Sequence, residues 1–319
     1  SLHDALPICS QSSFSGVKGS ALFFHIEKVL SLPSVRPHTM KTILNQEFGG
    51  ERPLYCEHDL KIENVTIHAG ESALKETSGI IAENCRFEGK YPFWECRGFT
   101  VKNCLFTEGA RAALWYSSDL LMEDTLVEAP KMFREMDSLT LRRVRIPNAA
   151  ETLWRCSNVV LDNVHIRKGD YLFMHSHDIK VDGLDLVGNY SFQYCRNVEI
   201  RNSVLRTKDA FWETENVTVY DSVITGEYLA WYSKNLRLVR CRIEETQPLC
   251  YADNLVLENC TFGPDADLAF EYSDVQADIK GTVASVKNPR SGRIVADGYG
   301  EIILDGNIKG PADCILETR

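Results

Sequence analysis

The sequence predicts an all-β fold, a right-handed parallel β-helix: a solenoid of about eleven coils of about 20 residues with three strands per coil. Three observations predict it: a phrase recurring at fixed period, apolar and polar residues alternating within that phrase, and a small turn-forming residue at its centre. The phrase reads Leu60-Lys-Ile-Glu-Asn-Val-Thr-Ile67, then Phe99-Thr-Val-Lys-Asn-Cys-Leu-Phe106, Val198-Glu-Ile-Arg-Asn-Ser-Val-Leu205 and Leu255-Val-Leu-Glu-Asn-Cys-Thr-Phe262. Its turn residue falls at Asn64, Asn84, Asn103, Asp124, Arg143, Asn163, Gly183, Asn202, Asp221, Arg240 and Asn259, at spacings of 19 to 21.

Alternation is the period of a half-buried strand. Val198, Ile200, Ser203 and Leu205 are expected inside, with Glu199, Arg201 and Val204 outside. The strands are rich in Val, Ile, Leu and Phe. Asn, Asp and Gly break them because these residues tolerate left-handed backbone at a corner. A leucine-rich repeat shares the period but needs a helix or its own consensus on the far side, and this sequence carries neither. Coils stacked about 4.8 Å apart would extend on the order of 50 Å. Met40 to Cys56 is expected to cap one end. Gly292 to Leu304 reads as terminal strands after the register loosens beyond Phe262.

The 319 residues, 44% hydrophobic, are assigned to one β-helix domain over 40–319 and a leader over 1–39. The leader does not share the repeat. Ser1-Leu-His-Asp-Ala-Leu-Pro-Ile8 resembles translated adapter or vector sequence, and Met40 reads as a natural start. A net charge of −10 without a basic run argues against a nucleic-acid or anionic-membrane partner. No apolar stretch approaches the roughly 18 residues of a transmembrane helix. Of 11 cysteines, Cys85, Cys104, Cys241 and Cys260 share one inward row and Cys96, Cys156 and Cys195 another. Such rows suit small buried hydrophobes; with an odd count and no signal peptide, reduced thiols and a cytoplasmic location are expected.

Five phrases point further: Gly89-Lys-Tyr-Pro-Phe-Trp-Glu-Cys96, Gly188-Asn-Tyr-Ser-Phe-Gln-Tyr-Cys195, Lys208-Asp-Ala-Phe-Trp212, Gly226-Glu-Tyr-Leu-Ala-Trp-Tyr-Ser233 and Thr246-Gln-Pro-Leu-Cys-Tyr251. They resemble an uncharacterised bacterial family of right-handed β-helix proteins, known only as a domain of unknown function, within the pectate-lyase-like superfamily. The resemblance covers about residues 40–319. It implies the fold and transfers no catalytic residue. The superfamily holds polysaccharide lyases and glycoside hydrolases that work along one exposed sheet, as well as structural and adhesive members.

One side of the coil differs in kind. Counted back from each second corner, the fourth residue is Trp94, Trp115, Arg134, Trp154, Met174, Gln193, Trp212, Trp231 or Cys250, so all five tryptophans share a row. The fifth back (Phe93, Phe133, Phe173, Phe192, Phe211) is expected inside and the tryptophans outside. An exposed apolar row flanked by polar groups marks a binding face, and aromatic rings beside carboxylates suit pyranose rings. Trp154, Trp212, Trp231, Tyr190, Tyr194, Tyr228, Tyr232 and Asp170 are therefore the candidate substrate-binding residues. Asp209, Glu213, Glu227, His175 and Arg155 are the candidate catalytic ones. Paired carboxylates serve glycoside hydrolysis at separations near 5 Å or about 6.5–9.5 Å; a lyase would use a base such as Arg155, His175 or a tyrosine.

Simpler explanations stand beside these. Glu135 with Arg155, and Lys208 with Glu227, read as cross-coil ion pairs. His175 and His177 lack a third ligand, so no metal and no cofactor are expected. The aromatic face could equally serve a non-catalytic glycan- or protein-binding scaffold, or join copies of the chain into a homo-oligomer. The corner asparagines read as structural.

Overall fold

Strand after strand pairs in parallel with the one about a coil later, as the repeat requires. The computed structural model describes residues 40–305 and 310–319; the leader expected over 1–39 lies outside the described residues. On the first side of the coil, Leu139, Val159, Ile179, Val198, Val217 and Leu236 are successive partners. On the second, Ile146, Ile166, Leu186, Leu205, Ile224, Ile243 and Phe262 are successive partners. These side chains are buried and form the core. Among the described residues the one helical element is a single 3-10 turn, Glu108–Ala110. The described residues form a parallel β-solenoid of about 14 turns.

The count exceeds the expected eleven for a physical reason. Met40 to Cys56 is a working coil as well as an end: Lys41–Leu44 pairs with Leu60 to Glu63, and Glu47–Glu51 pairs with Thr66–Glu71. Beyond Phe262 the ladder continues while its period drifts. Val275 pairs with Gly292, 17 residues on, and Arg293 with Ile315, 22 residues on. Pairing tolerates loops of unequal length, but a search for a fixed period does not see them.

The corner residues do what their chemistry predicts. All eleven have φ between 49° and 72°, the left-handed region that Asn, Asp and Gly enter at low cost. Their side chains bond from coil to coil. Asn64 donates to Asn45 at 3.0 Å and Asn103 to Asn84 at 2.6 Å. Arg143 and Arg240 fork onto Asp124 and Asp221, each with a 2.6 Å contact. A second ladder runs from Asn254 through Asn235, Asn216 and Asn197 to Asp178, with donor–acceptor distances of 2.8 to 3.2 Å. The inward thiols act as donors too: Cys195 Sγ reaches the Phe173 carbonyl at 2.9 Å and Cys96 Sγ the Leu74 carbonyl at 2.9 Å. The ten cysteines among the described residues are free.

Candidate functional site

The aromatic face rests on backbone tighter than an extended strand. Along Tyr190 to Tyr194, φ is 59° at Tyr190, 62° at Phe192 and 58° at Tyr194. Left-handed backbone costs a residue with a Cβ roughly 1–2 kcal/mol, so the ladder must hold it there. Tyr190 N–H donates to the Lys208 carbonyl at 2.7 Å, Phe192 N–H to Leu172 at 2.8 Å and Tyr194 N–H to Trp212 at 2.9 Å. The turn also changes which residues share a side. Ala210 and Phe211 both point inward, Trp212 and Glu213 both outward; Leu229 and Ala230 repeat the inward pair, Trp231 and Tyr232 the outward pair. Two adjacent rows can therefore face solvent together, which a flat strand forbids.

The inner of these rows holds the tryptophans, half-buried; the outer row is exposed, with Tyr116, Tyr194 and Tyr232 about 40% or more accessible (47%, 39% and 42%). Trp212 and Trp231 sit 5.7 Å apart between centroids, with Tyr228, Tyr232 and Tyr251 within 5.2 Å of one or the other. Trp154 belongs elsewhere. Its ring packs on the Arg134 guanidinium at 4.3 Å, whose other face lies 4.8 Å from Trp115. Met174 and Gln193 separate it from Trp212, so the substrate-binding set expected from the sequence divides into two clusters three coils, about 14 Å, apart. Tyr190 stacks on Tyr171 at 4.9 Å between them. Indole N–H groups are mostly spent on the next coil: Trp154 donates to the Tyr171 carbonyl at 2.6 Å and Trp231 to Gln247 at 2.8 Å.

The carboxylates have different surroundings. Asp170 accepts from the Asn189 N–H at 2.9 Å and from its side-chain amide at 3.2 Å, a coil-to-coil clasp. Glu213 accepts from Trp212 Nε1 at 3.3 Å. Glu227 pairs with Lys208 Nζ at 3.2 Å, and that ammonium also lies over the Tyr228 ring at 5.1 Å. Asp209 is one coil from Glu227, its N–H bonded to the Glu227 carbonyl at 2.8 Å. Burial, opposed by Lys208 and reinforced by Glu227, raises the Asp209 carboxyl above the ordinary range. Asp209 and Glu227 are thus neighbours, and Glu213, in the outer row, follows Asp209 by four residues. His175, two coils from Glu213, stacks on Tyr194 at 4.7 Å; Arg155, three coils from Glu213, pairs with Glu135 at 3.5 Å.

Arg134, which the sequence places in the tryptophan row without a role, joins Trp115 to Trp154; Arg196 is not among the sequence candidates. Arg196 stands in register with His177, beside the row of Arg155, His175 and Tyr194. Extending the aligned columns past the second corner would have exposed Arg196 in register with His177.

The profile of a family described as "Protein of unknown function (DUF3737)" matches residues 41–317. The chain belongs to the DUF3737 family. No curated protein matches this DUF3737 chain. Among solved structures it is similar to the surface protein and adhesin PfbA of Streptococcus pneumoniae, at 10% identity and a TM-score of 0.39 over 86% of this chain and 91% of that one. A second structure of PfbA matches at 9% identity and a TM-score of 0.29, over 82% and 70%. No helix among the described residues of the DUF3737 chain is long and apolar enough to cross a membrane.

Proposed function

We propose that the chain binds oligosaccharide along its aromatic face, centred on Trp212, Trp231, Tyr228 and Tyr232. One observation carries this: two adjacent outward rows hold every tryptophan of the described residues with exposed tyrosines, Glu213 accepts from the Trp212 indole, and the Lys208 ammonium and Arg134 guanidinium lie over ring faces. Pyranoses offer apolar ring faces and hydroxyl rims, so rings beside charged acceptors and donors match both surfaces. Glycan-array binding and calorimetry test it. Trp231→Ala should weaken a neutral oligosaccharide at least about tenfold, the scale of one lost aromatic anchor, while circular dichroism stays unchanged. Undiminished binding by Trp231→Ala and Trp212→Ala together would end the proposal.

Cleavage is a second reading, favoured by the Asp209 environment. A carboxyl that burial raises above the ordinary range, one coil from a carboxylate paired with Lys208, is the kind of contrast by which one acid and one base are set apart. Asp209→Asn should then abolish release of reducing ends while leaving binding intact. Retained turnover in that variant, or none in the parent chain, leaves the face a scaffold for binding.

A further inference from the structure

A hollow of about 430 Å³ lies where the third side of the coil meets the first, lined by Arg155, His175, His177, Tyr194 and Arg196. Two rows build it. Arg155, His175 and Tyr194 follow one another in the outer aromatic row; Ser157, His177 and Arg196 are in register on adjoining strands. Every ionisable lining group is a base or a phenol, in a chain whose net charge is −10. Two flanking acids reach these bases: Glu135 meets Arg155 at 3.5 Å at one edge, and Asp178, on the middle coil, meets His177 Nδ1 at 2.7 Å. Asn197 first, then His177 and in smaller part the Arg196 charge hold the Asp178 carboxyl down. Arg196 has no side-chain hydrogen bond or ion pair among the described residues, and the His175 ring has only the Tyr194 face against it.

The basic window is short. It spans three coils, about 10 Å, and the next positions along both rows are acidic: Glu135 and Asp137 before it, Glu213 and Glu215 beyond. A polyanion running along the coil axis would cross both acidic ends and be repelled there. A lone carboxylate would satisfy one guanidinium fork and leave the remaining donors unmet. Two guanidiniums, two imidazoles and a phenol converging from three coils suit a compact group with acceptors on every side.

We infer that this corner hollow binds a single tetrahedral oxyanion, phosphate or sulfate, carried free or as an ester. The site is independent of glycan binding, because inorganic phosphate carries no sugar and Trp231→Ala leaves all five lining residues in place. Calorimetry on the full chain with inorganic phosphate, inorganic sulfate, a hexose phosphate and acetate tests it. Phosphate or sulfate should bind with a Kd in the low millimolar range or below, acetate about tenfold more weakly. Arg196→Gln and Arg155→Gln, both at the surface, should each weaken the oxyanion about tenfold, the scale of one charge-assisted pair. A hexose phosphate that outbinds inorganic phosphate assigns the ester as the source; equal affinity assigns the free ion. No heat with either ion up to about 20 mM, or affinity unchanged in both variants, overturns the site.

Discussion

At the scale of single residues, chemistry that looks catalytic in a linear sequence divides sharply once partners are known. Cys156 is buried, and burial pushes its thiol up to about 12; pairing with Cys85 and burial hold Cys104 up as well. Such thiols are poor nucleophiles and good fillers. Asp170 looked like a ligand contact and is tied to Asn189. Asp209 is the exception, since burial raises its carboxyl with only Lys208 opposing. Its folded form then holds a proton more tightly than the unfolded chain does. That stabilisation is complete below the ordinary carboxylate value of about 3.9 and is lost as pH rises through the raised folded value. At neutral pH the ionised group is a liability. Asp209→Asn should therefore raise the melting temperature at pH 7 by roughly 2 °C, with the gain vanishing below about pH 4. A scanning-calorimetry series across that range would show it, and a variant less stable at pH 7 would mean the carboxylate makes a contact worth more than its burial costs.

At the scale of the coil, the third side explains the phrases that distinguish this family. Gly188 and Gly226 open that side where successive backbones nearly touch. A Cβ at Gly188 would lie 2.5 Å from the Gly169 carbonyl carbon, and one at Gly226 would lie 2.2 Å from the Thr207 oxygen. After the glycine comes the left-handed turn, then an inward aromatic. Phe173, Phe192 and Phe211 stack at 4.9 and 5.1 Å as a continuous column. Removing the central ring leaves a void that rigid neighbouring coils cannot close. Phe192→Ala should cost about 3–5 kcal/mol in urea denaturation. Because a solenoid coil touches only its neighbours, hydrogen exchange should quicken first around Phe173 and Phe211. Uniform quickening along the chain would show that the coils unfold as one block.

At the scale of the molecule, the end coils of the described residues are where the ladder has one described neighbour instead of two. His68 joins two coils on either side of its own, bonding Glu47 at 2.9 Å and Glu88 at 3.2 Å. Glu47 first and Glu88 second raise the imidazole above its usual value. Its stabilisation is present in full below about pH 6.5 and is lost as pH rises through the raised folded value. Amides of Lys41–Leu44 and Glu47–Glu51 should lose protection between pH 6 and pH 8 beyond the intrinsic rate change, and His68→Gln should remove the difference. Equal protection at both pH values would show that the clasp carries no weight.

Much of this was legible in advance because stacking copies one local solution along the chain. The eleven corners, the inward rows and the tryptophan row each appear in the sequence as a column, and each column survives in three dimensions at the expected positions. What the sequence could not supply was whatever depends on relations between columns. It did not reveal that the third side turns instead of extending, because the left-handed residues there are, Asp209 apart, types such as Tyr, Phe, Leu and Glu, which carry no turn signal. It grouped Trp154 with Trp212 although Met174 and Gln193 stand between them in the row, because a row of letters does not show Arg134 packing Trp154 toward Trp115. Nor did it bring Arg196 beside His175, because those two meet across a corner and share no period. Local propensity and burial act on each residue within its own coil, so the sequence alone determined the solenoid and its rows. Contact between rows depends on how tightly each corner bends, so only the tertiary structure decided which side chains meet.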